Sequence, residues 1–356
     1  MNHLKKIDWE KLNSYIEKGL ITANKHHEYD IWILNYTPKT QLKCLWDDYT
    51  LSCYGIVIDN KGNILARPLP KFTLYDKKNP PDIDLTKKYL IFEKIDGTTI
   101  LIFYYAPKMK WMVISNQSFI SEQALEAQKF MNAKHNIYNS LNKKHTYIFE
   151  ILYPEDYTII QYKTQRDLIL LTRIETDTGI EMDYYLLLRK YSRYFTVLKN
   201  LNIKLTEIKD LDKHNDNNKE GFVIMFEDGQ KIEYKFDNYT CLVDAMTNIS
   251  NISIWRNLKK NYDFTVVANK LPKKQYDWIT KQIKRIERKY CIVEREALKE
   301  FVRIYHINKI TERKSFAVEA AKSDYYNILY CVYDKKPYDK PIWKKIRPKK
   351  HKTCKK

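Results

Sequence analysis

Short apolar runs separated by polar turns fill the first two thirds of the chain. Within these runs apolar and polar positions tend to alternate, which is typical of half-buried strands. A helix is predicted over residues 121–132, because Ser121 can cap it and Glu122 and Gln123 follow in its first turn. Strands are predicted over residues 55–58, 90–93, 99–105, 112–115, 147–152, 168–173, 221–226 and 231–235.

The pattern becomes helical after residues 245–260. Further helices are predicted over residues 294–306 and 312–333. The fold class is therefore α+β, with antiparallel sheets and flanking helices first and an all-helical region after them. Basic residues beside the first apolar helix face fit either an RNA backbone contact or an ordinary solvated face. That apolar face recurs at spacings of three and four residues, at Tyr276, Ile279, Ile283, Ile286 and Tyr290.

Composition adds a strong basic balance. The sequence has 63 Lys and Arg against 44 Asp and Glu, a formal net charge of +19. Such an excess of positive charge favours a polyanionic partner. A compositional bias toward Lys, Ile, Asn and Tyr would produce the same excess without any such partner. Six scattered cysteines without a Cys-x-x-Cys pair indicate neither a disulfide framework nor a zinc site. No stretch approaches the roughly 20 apolar residues of a membrane span, so we expect no membrane partner. We also expect the protein to be cytoplasmic and a monomer.

The clearest chemistry follows the apolar run 89–92. Residues 93–97 read Glu-Lys-Ile-Asp-Gly and place Lys94 where a predicted strand ends. A lysine there can attack a nucleotide phosphate, Asp96 can orient the amine or contact a sugar, and Gly97 permits a turn. Because an amine nucleophile has to be neutral, we expect burial and neighbouring cations to lower the pKa of Lys94. The alternative is a lysine at an ordinary surface turn.

Two later segments carry carboxylates on predicted strands. Glu150 lies within an apolar strand, where it is costly to bury unless it has a partner, and otherwise it faces outward. Glu220 and Gly221 begin another strand, a pattern that also fits a hairpin edge. Lys235 lies on the strand after that. Each feature alone is ordinary, but their order along the chain is not.

That order resembles the covalent nucleotidyltransferase superfamily of ligases and capping enzymes. Within it, the sequence is most similar to the RNA ligase 1 family of T-even phages, from about residue 51 to residue 338. The combination of motifs is more specific than any one of them. The similar segments are residues 51–57, 66–72, 121–125, 149–150, 170–173, 220–223, 235–239 and 315–320.

The resemblance implies a domain organisation and a reaction. It implies a nucleotidyltransferase (adenylylation) domain over residues 1–246, a helical RNA-specificity domain over 247–343 and a disordered basic tail over 344–356. Lys94 would take AMP from a nucleotide, normally ATP, and pass it to a 5′-phosphate RNA end, where a 3′-hydroxyl would displace it. Mg²⁺ would neutralise the phosphates with Glu220 and Glu150 as ligands, although Glu150 also fits a contact to the ribose.

Some positions that the resemblance assigns to phosphate contacts have changed. Where the family has cations, this chain has Tyr54, Asn116 and Glu233. A charge-assisted hydrogen bond is worth roughly 1.5–3 kcal/mol, so three losses are large beside a nucleotide affinity of about −8 kcal/mol. Lys231, two residues before Glu233, could replace part of the lost charge. The implied nucleotide contacts are Lys71, Glu93, Asp96, Gly97, Glu150, Glu220, Lys235, Tyr54 and Asn116.

Three alternatives remain for the activity. The first is an ATP-dependent RNA ligase whose phosphate contacts are redistributed. The second is the same ligation with NAD as the adenylyl donor. The third is a protein that seals only pre-adenylylated ends, or a non-catalytic RNA-end-binding relic of the ligase fold. The expected partners are RNA ends, with nicked tRNA as one candidate in RNA or tRNA repair, and a phage- or virus-encoded protein acting in host cytoplasm also fits.

Overall fold

The structure is a computed structural model of the chain. It describes residues 6–134, 136–153, 160, 162, 165–216, 218–247, 250–264 and 273–349. The chain forms two compact units, Met1–Phe236 and Asp237–Lys356. The predicted α+β class is confirmed, because the first unit is rich in strands and the second is mostly helical.

The first unit contains strands and short helices. Its helices are α1 Trp9–Glu17, α2 Pro38–Leu42, α3 Asp48–Ser52, α4 Glu122–Ala133 and α5 Tyr184–Tyr191. Its strands are β1 Ile21–Lys25, β2 Ile31–Tyr36, β3 Tyr54–Asp59, β4 Ile64–Ala66, β5 Thr73–Leu74, β6 Tyr89–Lys94, β7 Thr98–Tyr105, β8 Lys110–Ser115, β9 His145–Leu152, β10 Asp167–Glu175, β11 Thr196–Val197, β12 Gly221–Phe226 and β13 Lys231–Lys235.

These strands form three sheets. Sheet 1 has the order β1-β2-β3-β4, sheet 2 the order β11-β10-β9-β7-β8, and sheet 3 the order β5-β13-β12-β6. Neighbouring strands are antiparallel, except for the parallel pairs β10–β11 and β5–β13. Strand β9, in the middle of sheet 2, is buried along its whole length.

Sheet 2 lies between two apolar cores. On one face Ile100 belongs to a core with Phe92 of sheet 3 and Leu187 of α5. On the other face Leu101 belongs to a core with Ile33 of sheet 1. Consecutive residues of β7 therefore enter opposite cores, as the two-residue period of a strand requires.

The predicted elements of the first unit occur where expected. Each predicted strand is present with at most two extra residues at either end, and the predicted helix is α4. Ser121 caps that helix, since its side chain accepts a hydrogen bond from the Ala124 N–H at 3.1 Å. The elements before residue 53 were not predicted, and neither were β4, β5, α5 and β11. For α1 the sequence did contain a signal, the helix-capping residue Asp8, whose carboxylate accepts a hydrogen bond from the Glu10 N–H at 2.8 Å.

The second unit is helical, and none of its described helices is both long and apolar enough to cross a membrane. Ile304 and Phe316 lie at the centre of a small core within it. Its helices are α6 Asp237–Thr247, α7 Asn251–Leu258, α8 Lys273–Val302, α9 Arg313–Ala320, α10 Tyr326–Tyr333 and α11 Asp339–Lys345.

All three helix predictions for the second unit need correction. The helices predicted over 276–290 and 294–306 form one helix, α8, which continues into a π-helical turn at Arg303–Ile307. They merge because neither Gly nor Pro interrupts residues 273–307. The helix predicted over 312–333 is instead the pair α9 and α10. Between them the Ser323 hydroxyl accepts from the Tyr325 N–H at 3.1 Å, a local bond that competes with helix formation.

The start of the segment predicted to be a disordered basic tail, from Lys344 onward, is helical. Lys344 and Lys345 belong to α11, and Lys345 Nζ donates to the Asp324 carbonyl at 2.7 Å. These first residues of the expected tail are therefore ordered by a helix. Residues 350–356 lie outside the described part of the chain, and the division into three domains stays a prediction.

Gly221 cannot carry a side chain without moving the neighbouring strand. Its φ is +154°, and a Cβ there would lie 1.9 Å from the Tyr234 carbonyl oxygen. We expect Gly221→Ala to lower the free energy of unfolding by about 3 kcal/mol or more. At Gly229 the φ is +83° but a Cβ meets nothing within 4 Å, so Gly229→Ala should cost about 1 kcal/mol. Equal losses in urea unfolding would contradict this explanation.

Candidate functional site

Strand pairing brings three strand ends of sheet 3 together. Gly221, the first residue of β12, pairs with Lys94 of β6 on one side and with Lys235 of β13 on the other. Glu220 comes immediately before Gly221, and Glu233 comes two residues before Lys235. Because residues two apart on a strand share a face, Glu233 and Lys235 lie on the same side of the sheet. The register therefore places two lysines and two glutamates side by side.

These four side chains form an ion cluster. Lys94 Nζ is 3.3 Å from Glu220 Oε1 and 3.6 Å from Glu233 Oε1. Lys235 Nζ is 2.9 Å from Glu220 Oε1 and 3.2 Å from Glu233 Oε1. The Glu220 side chain is 3% exposed and that of Glu233 is 18% exposed, against 25% for Lys94. Both ammonium groups are thus shared between the same two carboxylates.

The pKa of Lys94 differs from the one predicted. Burial by itself lowers this pKa, as expected, but the carboxylates of Glu220, Glu233 and Glu150 raise it more, and the net pKa lies above the usual value. The prediction of a lowered pKa was wrong, because the charged groups nearest to Lys94 include carboxylates, which stabilise the protonated amine. In this arrangement the amine is protonated, and it has to lose a proton before it can attack a phosphorus atom.

Glu150 points toward the turn that follows Lys94. Its carboxylate accepts hydrogen bonds from the Gly97 N–H at 3.2 Å and from Thr99 Oγ1 at 3.1 Å. Burial raises the pKa of Glu150 to about 7, although Lys94 and Thr99 act against that rise. Gly97 suits this place because a Cβ would lie 2.9 Å from Glu150 Cγ. Glu150 therefore has the partners that a buried carboxylate needs.

Asp96 contacts the segment that follows β9. Its Oδ2 accepts from the Ile160 N–H at 2.7 Å, and its own N–H donates to Tyr162 Oη at 2.8 Å. These bonds fix the turn directly after the strand that carries Lys94. The roles predicted for the Asp96 carboxylate, orienting the amine or contacting a sugar, stay predictions.

A cavity of about 230 Å³ lies beside the ion cluster. Many of the predicted nucleotide contacts meet in its wall. Glu220 and Lys235 join them through their ion pairs with Lys94 and Glu233, which also line the cavity. The predicted residues in the wall itself are Tyr54, Lys71, Glu93, Lys94 and Glu150.

Asn116 lies behind Tyr54. Its N–H donates to the Thr99 carbonyl at 3.1 Å, and its own carbonyl accepts from Asn35 Nδ2 at 3.0 Å. Burial raises the pKa of Tyr54, and the Asn116 side chain acts against that rise. Through Asn35 of β2 and Thr99 of β7, Asn116 links sheet 1 with sheet 2.

Part of the cavity wall is apolar and was not predicted. Its residues come from β10, β11, β12, α5 and the segment before α5. Sequence reasoning missed them because apolar residues in strands and helices look like ordinary core positions. This apolar wall consists of Leu171, Met182, Leu187, Val197, Val223 and Met225.

An ion pair between Lys231 and Glu181 also lines the cavity. The Lys231 ammonium contacts the Glu181 carboxylate, and only 8% of the Lys231 side chain is exposed. The same ammonium lies 5.7 Å from the centroid of the Phe72 ring. Because Glu181 already neutralises the Lys231 ammonium, Lys231 is poorly suited to replace a lost phosphate contact near Glu233. Glu181 is 50 residues away along the chain, and no motif marks it.

Glu220 and Glu150 are the predicted magnesium ligands. Among the described residues, no group of three or more Asp, Glu, His or Cys side chains could hold a metal ion. Mg²⁺ is usually bound by one or two carboxylates together with substrate phosphates. These two glutamates therefore fit the ion only where nucleotide phosphates supply further oxygen ligands.

Several solved structures are weakly similar to this chain. An archaeal ATP-dependent RNA ligase is 11% identical over 80% of this chain and 80% of its own, with a TM-score of 0.48. A putative ATP-dependent DNA ligase from Aquifex aeolicus is 12% identical over 88% and 87%, with a TM-score of 0.45. A mutant of the Naegleria gruberi RNA ligase with ATP and Mn is 14% identical over 43% and 51%, with a TM-score of 0.36. Similarities this weak do not bear on activity.

The sequence comparison is more decisive. A sequence model of the RNA ligase family, of the T4 RNA ligase 1 type, matches residues 52–240, which is more than half of the chain. The match runs from β3 to the first turn of α6 and includes Lys94, Glu150, Glu220 and Lys235. The chain therefore belongs to the RNA ligase family.

Proposed function

We propose that the protein joins 5′-phosphate and 3′-hydroxyl RNA ends through a lysyl-AMP on Lys94 and an RNA-adenylate. The observation that carries this proposal is the position of Lys94. It ends β6, lines the cavity and belongs to the ion cluster. Family membership supports the same reaction.

The residues around Lys94 offer the groups that this reaction needs. The apolar wall offers a surface for a nucleotide base, and Glu150 offers a carboxylate for the ribose. Lys235 and Lys71 offer positive charge for the phosphates. Bound Mg²⁺ would neutralise phosphate charge, held by Glu220 and by Glu150 if it does not hold the ribose. Since phosphoryl transfer depends mainly on positioning and charge neutralisation, this set is chemically sufficient.

ATP is the donor that the family resemblance favours, and NAD is the second candidate. One observation favours NAD: Glu233 pairs with both Lys94 and Lys235. These two ammonium groups are therefore partly neutralised before any phosphate arrives. The leaving group of NAD carries less negative charge than pyrophosphate, so it needs less positive charge from these two ammonium groups. A non-catalytic RNA-end binder would have no use for an amine in the position of Lys94.

RNA ends are the proposed partners, in RNA or tRNA repair. The formal net charge of +19 supports a polyanionic partner. In the second unit, Ile279 and Ile286 of α8 are buried, whereas the basic residues on its other faces are exposed. This exposed basic surface, which fits an RNA backbone, consists of Lys281, Lys284, Arg285 and Arg288.

Replacing the proposed nucleophile tests the assignment directly. We expect Lys94→Ala to abolish AMP attachment, measured as intact mass after incubation with Mg²⁺ and either ATP or NAD, because no other amine takes its place. RNA binding should change less than about twofold. Lys87→Ala, which removes only an exposed pair with Asp228, is the matched control. AMP attachment to the Lys94→Ala protein would refute the assignment.

The raised pKa of Lys94 gives the reaction a predictable pH dependence. Because Lys94 is protonated below its pKa, the rate of AMP attachment should increase from neutral to alkaline pH. Glu233 helps to raise that pKa, so Glu233→Gln should move the rate profile to lower pH, about tenfold in rate at pH 7 for each pKa unit lost. Glu233→Asp keeps the charge and should move it less. An unshifted profile in Glu233→Gln would contradict this account.

A further inference from the structure

Three aromatic side chains and one lysine form a second surface beside the ion cluster. Tyr36 stacks on Tyr54 with ring centroids 5.2 Å apart and an angle of 14° between the rings. Trp46 meets Tyr36 edge-on at 5.0 Å. Lys71 Nζ lies 5.0 Å from the Trp46 ring centroid and 5.7 Å from that of Tyr36. We call these four residues the aromatic wall.

Three of the four residues of the aromatic wall line the same cavity as Lys94, and Trp46 supports them through its contacts with Tyr36 and Lys71. Tyr36, Tyr54 and Lys71 line this cavity, together with Lys94 and Glu233. The apolar wall comes from sheets 2 and 3 and from α5, whereas Tyr36 and Tyr54 come from sheet 1. The cavity therefore has aromatic side chains from sheet 1 in its lining in addition to the apolar wall, and both kinds of side chain suit contact with a planar ring.

The charges in the cavity wall do not suit a highly charged leaving group. Four glutamates are among its lining residues, against three lysines. One of the lysines, Lys231, is paired with Glu181, and Lys94 is paired with Glu233. Pyrophosphate would bring several negative charges to a wall without a positive excess. A phosphate that is esterified to a nucleoside carries fewer charges and adds a ring that can stack.

The geometry of phosphoryl transfer links the donor and the RNA end. The entering and leaving groups lie roughly in line on opposite sides of the phosphorus atom. When Lys94 attacks, the leaving group is opposite it. When the RNA 5′-phosphate later displaces Lys94, it enters at that same opposite position. One subsite therefore receives both groups, and an RNA end is a nucleoside 5′-phosphate.

We propose that the aromatic wall is a subsite for a nucleoside 5′-phosphate, so that the compound the cavity fits best is a dinucleoside pyrophosphate, A(5′)pp(5′)N. This inference rests on the proposed lysyl-AMP chemistry at Lys94. The adenosine half lies on the apolar wall, and the second ring lies on the aromatic wall. Two compounds share this chemistry: NAD as the donor and 5′-adenylylated RNA as the intermediate. Lys71 then pairs with the phosphate of the second nucleoside.

With a donor of this class the first step balances as follows. Lys94 loses one proton to water, and its nitrogen forms a bond with the adenosine-side phosphorus. The bond from that phosphorus to the bridging oxygen breaks, and the nucleoside 5′-phosphate leaves with the electron pair. A second proton goes to water as the phosphoramidate forms. No oxidant or reductant is needed, since a nicotinamide ring leaves unchanged.

The first arm of the test compares NAD with ADP-ribose, which lacks only the nicotinamide ring. AMP attachment to the full-length protein is measured with Mg²⁺ and each compound, with ATP alongside. Since stacking of one base on aromatic side chains is worth roughly a five- to hundredfold effect, we expect NAD to react faster than ADP-ribose by that factor. We also expect NAD to react faster than ATP at equal concentration.

The second arm uses 5′-adenylylated RNA whose first nucleotide is either normal or abasic. Sealing to a 3′-hydroxyl strand, without free nucleotide, should be roughly five- to hundredfold faster with the base present. Tyr36→Ala should remove the ring effect in both arms. Trp46→Ala, at a partly exposed position, serves if the first variant folds poorly. Tyr185→Ala, whose side chain is 60% exposed, is the matched control.

The outcomes separate this inference from the proposed function. A ring effect in either arm that is lost in Tyr36→Ala or Trp46→Ala supports the subsite, and the arm in which it occurs identifies the ligand. The absence of a ring effect in both arms, or an effect unchanged in both variants, overturns the subsite. If ATP still labels Lys94 in that case, the ligase proposal survives. If no donor labels the protein and adenylylated RNA is not sealed, both proposals fail.

Discussion

The shared ion cluster is the interaction on which the rest of the site depends. It exists because one glycine, Gly221, pairs with Lys94 on one strand and with Lys235 on another. That register places both ammonium groups against Glu220 and Glu233. Buried carboxylates are costly without such partners, so the arrangement that holds the proposed nucleophile also supplies Glu220 and Glu233 with the cations that they need.

The cluster makes the site nearly neutral before any nucleotide enters. The neighbouring carboxylates raise the pKa of Lys94 and so keep its amine protonated. Each phosphate that binds must also compete with Glu233 for Lys94 and Lys235. Sheet 1 supplies aromatic rings beside the cluster, and one of them, Tyr54, lies where the resemblance to the family implies a cation. In our proposal these rings contact the second nucleoside, both in the donor and at the RNA end.

The sequence predicted those parts of the site that lie on strands with a clear pattern. Lys94 and Glu150 line the cavity, and Glu220 and Lys235 reach it through their ion pairs with Lys94 and Glu233. These four residues could be picked out because they lie on or next to strands with a clear apolar pattern and because their order resembles that of a known family. The remaining parts depend on pairings that single segments do not show. The pKa of Lys94 was mispredicted because strand register, rather than local sequence, brings Glu233 to it. The elements missed in the fold show the same limit, since their burial depends on partners distant in the chain. β1 buries Ile21 in a core with α1, and β2 packs Leu34 into that core but Ile31 and Ile33 against sheet 2. The apolar wall and the aromatic wall likewise use residues that look like ordinary core.

The central claim is that Lys94 accepts AMP inside this cavity. The most direct measurement is tandem mass spectrometry of peptides from the full-length protein after incubation with Mg²⁺ and ATP or NAD. The account predicts that AMP is attached to the peptide containing Lys94 and that fragment ions place it on that side chain. Attachment to Lys71, Lys235 or any other residue, or no attachment from either donor, would contradict it.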